Sequence, residues 1–320
     1  EQGVFNHYAK NSFVIPDRKM SLNFSHFYST QLVELPDGYF PIQPLGRGWT
    51  HTYNSYIIRE DNVIGSDDIY NVVWSDGTIH VYNEDEEKYI SMGVYDEFNE
   101  RSSTEIRITK KNQTRYRFKK LDSDRPIYYL IEIEDANGNE INIDYESAEE
   151  KDTKRIASVE APSGKKLVFK YEKNTDLIER ITDPIGRKLF FEYSDLWRGY
   201  SNTLVRFEDA KGNDTKYQYY TDRNTRRYYL KTVDLPRGNK IEAVYDNDNN
   251  GKLKRYTVND NEPVEIEVKF DYGSSEPITS TVRVPMPKGG TQKYEYSYNE
   301  QGILTKFKND TDDIQIDYHF

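Results

Sequence analysis

A chain of 320 residues with a formal net charge of −11 and a pI near 5.1 disfavours nucleic acid and anionic membranes as partners, since both reward a basic face. Mean hydropathy is low at −0.93, yet 28 Tyr, 14 Phe and 3 Trp exclude the aromatic-poor composition of disordered chains, so the sequence reads as a folded protein with a Tyr-rich core. The absence of Cys excludes a disulfide framework, a thiolate nucleophile and a Cys-ligated metal; no run of 18 apolar residues offers a membrane span, and residues 1–20 lack a basic stretch followed by an apolar one.

Residues 1–120 read as irregular strands. "SLNFSHFYS" (21–29) is strand-like, and "LPDGYFPIQPLGRGWTHTYNSYI" (35–57) is a dense cluster of Gly, Pro and aromatics. "WSDGTIHVY" (74–82) and "IRITKKNQTRYRF" (106–118) each alternate around a polar turn, the pattern of a hairpin.

From residue 121 the chain repeats. Gly138, Gly164, Gly186, Gly212 and Gly238 are each followed seven residues later by a Tyr: Tyr145, Tyr171, Tyr193, Tyr219 and Tyr245. Tyr272, Tyr296 and Tyr318 continue the ladder, here read as lacking the clean Gly, and a period of 22 to 27 residues marks a repeat architecture. Counting back from each of the eight Tyr, the positions −4, −2 and 0 are apolar or aromatic in all but Thr215 and Gln292 of 24 cases, while the interleaved positions are mostly polar. Alternation of this kind is a strand with one buried face. Ahead of the Gly stand Asp135-Ala-Asn, Ala161-Pro-Ser, Asp183-Pro-Ile, Asp209-Ala-Lys and Leu235-Pro-Arg, which fit a type I turn closed by a positive-φ Gly in a bulge. Eight residues before each Gly is Leu130, Ile156, Ile178, Leu204 or Leu230, and five before it is Ile133, Val159, Ile181, Phe207 or Val233. A spacing of three breaks one-face alternation, so the sequence predicts a bulge there or packing at the corner between hairpins. Each repeat is thus strand, tight turn, strand and polar connector; "SDLWRGYSNT" (194–203) is a longer connector around Trp197.

These features together resemble the Rhs or YD-repeat family, whose relatives include the shell components of bacterial Tc toxins and the animal teneurins. The resemblance rests on "LIERITDPIGRKLFFEY" (177–193) and its echoes at 129–145 and 203–219, on "LGRGWTHTYNSYI" (45–57), and on the order of these parts. Only Tyr245-Asp246 places the Tyr-Asp pair literally at the end of a repeat, and the family's core boundary and downstream variable domain are absent. The resemblance implies a β-sheet spiral that can enclose a polypeptide, of which this chain would be a segment or a small relative.

The residues announce no reaction. His7, His26, His51, His80 and His319 show no zinc-type spacing, and "PLGRGWT" reads as a tight turn under Trp49 rather than a phosphate cradle. "NEDEEK" (83–88) and "DNDNNG" (246–251) invite a Ca²⁺ reading, set against solvated turns. Trp49, Trp74 and Trp197 are candidate sugar-stacking platforms, set against burial. The expectation is therefore an all-β fold of stacked antiparallel hairpins in a continuous curved, twisted sheet, with a β region over 1–120 resembling the opening of an Rhs core and about eight YD-like hairpins over 121–320. The expected role is that of a non-enzymatic scaffold of a secreted or surface protein, enclosing or displaying another polypeptide; the alternative is a carbohydrate- or surface-binding module. No catalytic, cofactor or metal residue is assigned. The expected partner is a polypeptide, with glycans second, and neither nucleic acid nor a membrane span is expected. The final strand "DDIQIDYHF" (312–320) is expected to turn Ile314, Ile316 and Tyr318 inward and to pair with a following repeat or another chain.

Overall fold

The structure is a computed structural model that describes residues 5–34, 43–60, 68–91, 93–122, 125–147, 154–173, 175–194, 203–222, 227–245, 253–259, 263–269, 278–286, 289–299, 304–309 and 314–318. Asn6–Ile15 (β1), Leu22–Ser29 (β2) and Trp49–His51 (β3) form a three-stranded antiparallel sheet, with the short helix Thr30–Glu34 (α1) following β2. Tyr56–Glu60 (β4), Ile69–Val73 (β5), Ile79–Asn83 (β6), Lys88–Tyr89 (β7), Glu97–Ser102 (β8), Glu105–Thr109 (β9), Arg115–Lys120 (β10) and Ile127–Glu134 (β11) come next. The repeats supply Glu140–Ser147 (β12), Lys154–Glu160 (β13), Lys166–Tyr171 (β14), Ile178–Thr182 (β15), Lys188–Tyr193 (β16), Leu204–Glu208 (β17), Asp214–Asp222 (β18), Arg227–Asp234 (β19) and Lys240–Tyr245 (β20). They continue with Leu253–Val258 (β21), Val264–Lys269 (β22), Ile278–Pro285 (β23), Thr291–Tyr298 (β24), Leu304–Asn309 (β25) and Ile314–Asp317 (β26). The fold is all-β, a long antiparallel sheet of many strands that is not closed into a barrel. Two compact units make up the chain, residues 6–213 and residues 214–320 with 1–5; the region up to residue 120 and the first repeats thus share a unit.

The tight turns are as the spacing predicts. Gly138, Gly164, Gly186 and Gly212 have φ between 77° and 86°, and the amide of each donates to the carbonyl three residues back, at Asp135, Ala161, Asp183 and Asp209. The Asp has a second use that the sequence reading did not identify. Asp183 Oδ1 accepts from the amides of Ile185 (3.0 Å) and Arg187 (2.8 Å), and Asp135 and Asp209 do the same in their turns. The carboxylate thereby satisfies amides that the turn leaves without strand partners. The fifth turn differs: Arg237 as well as Gly238 has positive φ (72° and 82°), a backbone in which Pro236 is followed by a left-handed residue. Trp74–Gly77 and Lys110–Gln113 close the two predicted hairpins of the first third with the same bonding, Gln113 taking φ 64° in the place of Gly.

The three-residue spacing is indeed a bulge. Asp144 pairs with Ser158 but Tyr145 with Ile156, leaving Ala157 extra; Lys170 and Tyr171 face Arg180 and Ile178, and Glu192 and Tyr193 face Arg206 and Leu204. Each closing Tyr therefore meets the early apolar residue of the next hairpin. The two strands of a tight hairpin, by contrast, pair only next to the turn, from Ser158↔Val168 to Glu160↔Lys166 in one case and from Arg180↔Phe190 to Thr182↔Lys188 in another. Beyond that they part. The Tyr hydroxyl bridges the fork: Tyr145, Tyr171 and Tyr193 each donate at 2.8 Å to the carbonyls of Leu130, Ile156 and Ile178, and Tyr245 donates at 2.7 Å to Leu230. A Phe would fill the same space and leave that carbonyl unsatisfied. Burial holds the phenols of Tyr145 and Tyr171 far above the ordinary Tyr range, so they remain donors.

Two later assignments need correction. Gly289 also stands seven residues before Tyr296, has φ 84° and donates to the Met286 carbonyl, so this copy does possess the Gly. Its strands pair without a fork from Ile278↔Tyr298 to Pro285↔Thr291, which moves the bulge so that Tyr298, not Tyr296, faces the early apolar Leu304. Ile314, Ile316 and Tyr318, expected to turn inward, are exposed, with Ile314 and Ile316 the register partners of Asn309 and Phe307. Among the described strands β26 pairs with β25 alone, so no second neighbour covers them. Trp197, Tyr272, His319 and "DNDNNG" lie outside the described residues.

Candidate functional surface

Within residues 6–213 one face of the hairpins is covered. Phe24 packs edge-on against Phe169 (6.1 Å) and Phe191 (6.2 Å), and tilted rings bring His26 to Phe207 (4.5 Å) and His51 to Phe169 (5.7 Å), so the β1–β3 sheet lies on the Phe positions of β14, β16 and β17. The Gly-rich element threads along the forks. The Pro44 carbonyl accepts from the Ile178 amide (2.8 Å), Gly46 bridges to Thr203, and the Ser55 carbonyl accepts from Leu130 (3.3 Å) before β4 pairs with β11 at Tyr56↔Tyr129. "GRGW" is a tight turn: Gly46 and Gly48 both have φ 83°, and the Gly48 carbonyl is held by the Ser29 amide (2.9 Å). A Cβ at Gly48 would stand 2.7 Å from Tyr28 and Val33, so close packing, not a phosphate, explains this glycine.

Trp49 and Trp74 are buried at 2% and 7% exposure, which removes both as sugar platforms. Trp74 donates its indole N–H to His80 Nδ1 (3.0 Å) and lies under the Lys110 ammonium (3.7 Å), which also pairs with Asp96 (2.5 Å). Burial lowers the His80 imidazole, Lys110 lowers it further, and Asp96 opposes the shift. His80, Asp96 and Lys110 border an open cleft of about 530 Å³ shared with Tyr95, Lys111 and Asn112, and Tyr95 is 72% exposed. "NEDEEK" is a turn in which Asn83 Oδ1 accepts from the Glu86 amide (3.0 Å). Among the described residues no group of three or more His, Asp or Glu side chains is arranged to hold a metal ion, and no helix is long and apolar enough to cross a membrane.

Sequence reasoning missed the grouping of histidines. His26 is the register partner of His51, and His7 is paired with Tyr28, two residues along from His26 on the same face. No short sequence spacing signals this, because three separate strands bring them together.

In the second unit Tyr217, Tyr229, Leu230 and Tyr245 are buried, whereas in the described strands from residue 278 onward the corresponding face is aromatic and only half covered. Tyr294 stacks on Phe307 (6.2 Å), Tyr296 lies against the same ring (5.3 Å), and register pairing puts Val282 and Ile316 beside them. Tyr294, Tyr296, Val282 and Phe307 are each partly exposed.

No family model matches the chain, and no curated protein matches it. Solved structures that match the chain include the N-terminal domain of effector protein SpvB from Salmonella typhimurium strain LT2, at 11% identity and TM-score 0.35, covering 70% of this chain and 98% of that one. A Photorhabdus luminescens Tc holotoxin pore matches at 9% identity and TM-score 0.40, covering 96% of this chain and 23% of that one. The TcdB2–TccC3 structure matches at 10% identity and TM-score 0.32, covering 96% of this chain and 20% of that one. The chain therefore spans only 23% and 20% of the two Tc toxin chains.

Proposed function

We propose that this chain is a non-enzymatic scaffold, a stretch of YD-repeat-like wall in a secreted or surface protein, whose aromatic face encloses or displays another polypeptide. The observation that carries the reading is the half-covered face of Val282, Tyr294, Tyr296, Phe307 and Ile316, an apolar surface laid out at strand spacing rather than gathered around convergent carboxylates. The sequence resemblance to Rhs and YD-repeat proteins supports the same role. A photo-cross-linking residue placed at Tyr294 or Phe307 tests it, with reduced, carboxymethylated α-lactalbumin as an unfolded-polypeptide probe. Cross-links from these sites, absent from the same residue placed at exposed Lys254, support the scaffold; equal labelling at all three refutes it.

Exposed Tyr95 beside its cleft favours a second reading, a carbohydrate-binding module. A glycan array bound by the protein but not by Tyr95→Ala would favour it over the scaffold.

A further inference from the structure

His26 and His51 are essentially inaccessible and His7 is 8% exposed. All three belong to the β1–β3 sheet, and aromatic rings surround them: Trp49 against His7 (6.1 Å) and His26 (5.4 Å), Phe24 against His51 (5.4 Å), and Phe169, Phe191 and Phe207 from the hairpins beneath. We propose that this cluster is an acid-sensitive latch: neutral His7, His26 and His51 hold the β1–β3 sheet on the Phe face of β14, β16 and β17, and their protonation releases it.

The argument is one of charge in an apolar joint. The opposed strands present Phe rings to the cluster, and within the three-stranded sheet the neighbours are Phe24, Tyr28, Trp49 and the Tyr53 amide, which meets His51 Nδ1 at 3.4 Å. Lys154 and Arg155 line a small cavity together with His51, and Asp176 is bonded to Arg155. On the outer edge Arg187 lies over Phe13 at 5.5 Å. Burial among aromatic rings penalises an imidazolium formed here, and each imidazolium would repel the next.

Burial lowers His7 to about 4 and His51 to about 3, from an ordinary 6.5; His26 is lowered by burial first, then by His7 and His51. The released sheet therefore binds more protons than the docked one. The histidine contribution is fully present above 6.5 and is lost as pH falls from 6.5 towards 4. Each histidine shifts the balance by about tenfold per pH unit across that window, so roughly thirtyfold at about pH 5. The turn and connection aspartates respond lower. Asp17, which ties the β1–β2 connection to Ser163, is held below its usual range by that bond first, and Asp135 is held low by its bonds to Asn139. Glu84, which burial raises, stands just after β6 beside Arg59 and outside this sheet, so within 6–29 and 49–51 the window from about pH 5 to 6.5 reports the imidazoles. Release uncovers Phe169, Phe191 and Phe207.

Hydrogen exchange at about pH 7.5 and about pH 5, corrected for intrinsic rates, tests the latch on the full chain. The expected result is loss of protection at acid pH in 6–29 and 49–51, with the turns around Gly138 and Gly186 still protected. In His26→Gln/His51→Gln the acid response should shrink by several hundredfold, and in His80→Gln it should persist. Equal protection at both pH values, or an unchanged response in the double variant, overturns the proposal. If that variant does not fold, imidazole NMR on the unmodified protein decides. Three histidines should stay neutral until they titrate together with sheet release; independent titration near 6.5 with the sheet still protected overturns it.

Discussion

The hydroxyl of Tyr171 distinguishes the repeat's closing residue from a merely apolar one. It reaches the Ile156 carbonyl at 2.8 Å where the two strands of its hairpin part, and the Tyr193 hydroxyl does the same for Ile178. Tyr171→Phe should therefore cost about 1–2 kcal/mol, because a buried acceptor is left without its donor. Tyr95→Phe, at an exposed position, should stay within about 0.5 kcal/mol. Urea melts of the two variants check this; equal midpoints would show that the hydroxyl is incidental. Glycines divide in a similar way. Gly186 has φ 86° and open space where a methyl group would stand, so Gly186→Ala should lose about 1 kcal/mol from backbone strain alone. Gly48→Ala adds a 2.7 Å collision with Tyr28 and Val33 and should cost about 3 kcal/mol or more, again by denaturant midpoint.

At the scale of the element, the turn carboxylate is the feature to test. Asp183 gathers two backbone amides and the Arg187 guanidinium, whereas Ala161 closes the preceding turn with backbone bonds only. Asp183→Ala should destabilise by about 1–2 kcal/mol, and thermal unfolding should begin in the exchange of β15 and β16 amides rather than in β4–β10. Loss spread evenly over both regions would contradict the local role. Hairpins, turn glycines and the bulge were legible in the sequence because each is set by residues within about ten positions, where alternation and turn chemistry act. The fork was not legible: it depends on where Pro44 and Ser55 arrive from far along the chain. Nor was the change of phase at Tyr298, since β23 and β24 pair over eight positions where earlier tight hairpins pair over three, and the same Tyr-x-Tyr-x-Tyr pattern fits either phase. Of the candidate sites, Trp49 and Trp74 read equally well as platforms or as core, because aromatic residues serve both uses. Only the strand pairing assigns them to the core.

Across the whole molecule, successive hairpins of the regular repeats join through the same register, one extra residue per joint, with a Tyr closing each fork. The chain contains no Cys, so introduced thiols report on single pairs. At three successive joints the residues just before the bulge face each other on the polar side of the sheet: Asp144 with Ser158, Lys170 with Arg180, and Glu192 with Arg206. The decisive measurement is oxidation of Cys pairs at these positions, compared with pairs in which the second Cys sits on the extra residue, Ala157, Glu179 or Val205. The first set should cross-link at all three joints while the second does not, with stability otherwise unchanged. Cross-linking through Ala157, Glu179 and Val205 instead would mean an unbulged register, and the repeated Tyr fork would be wrong.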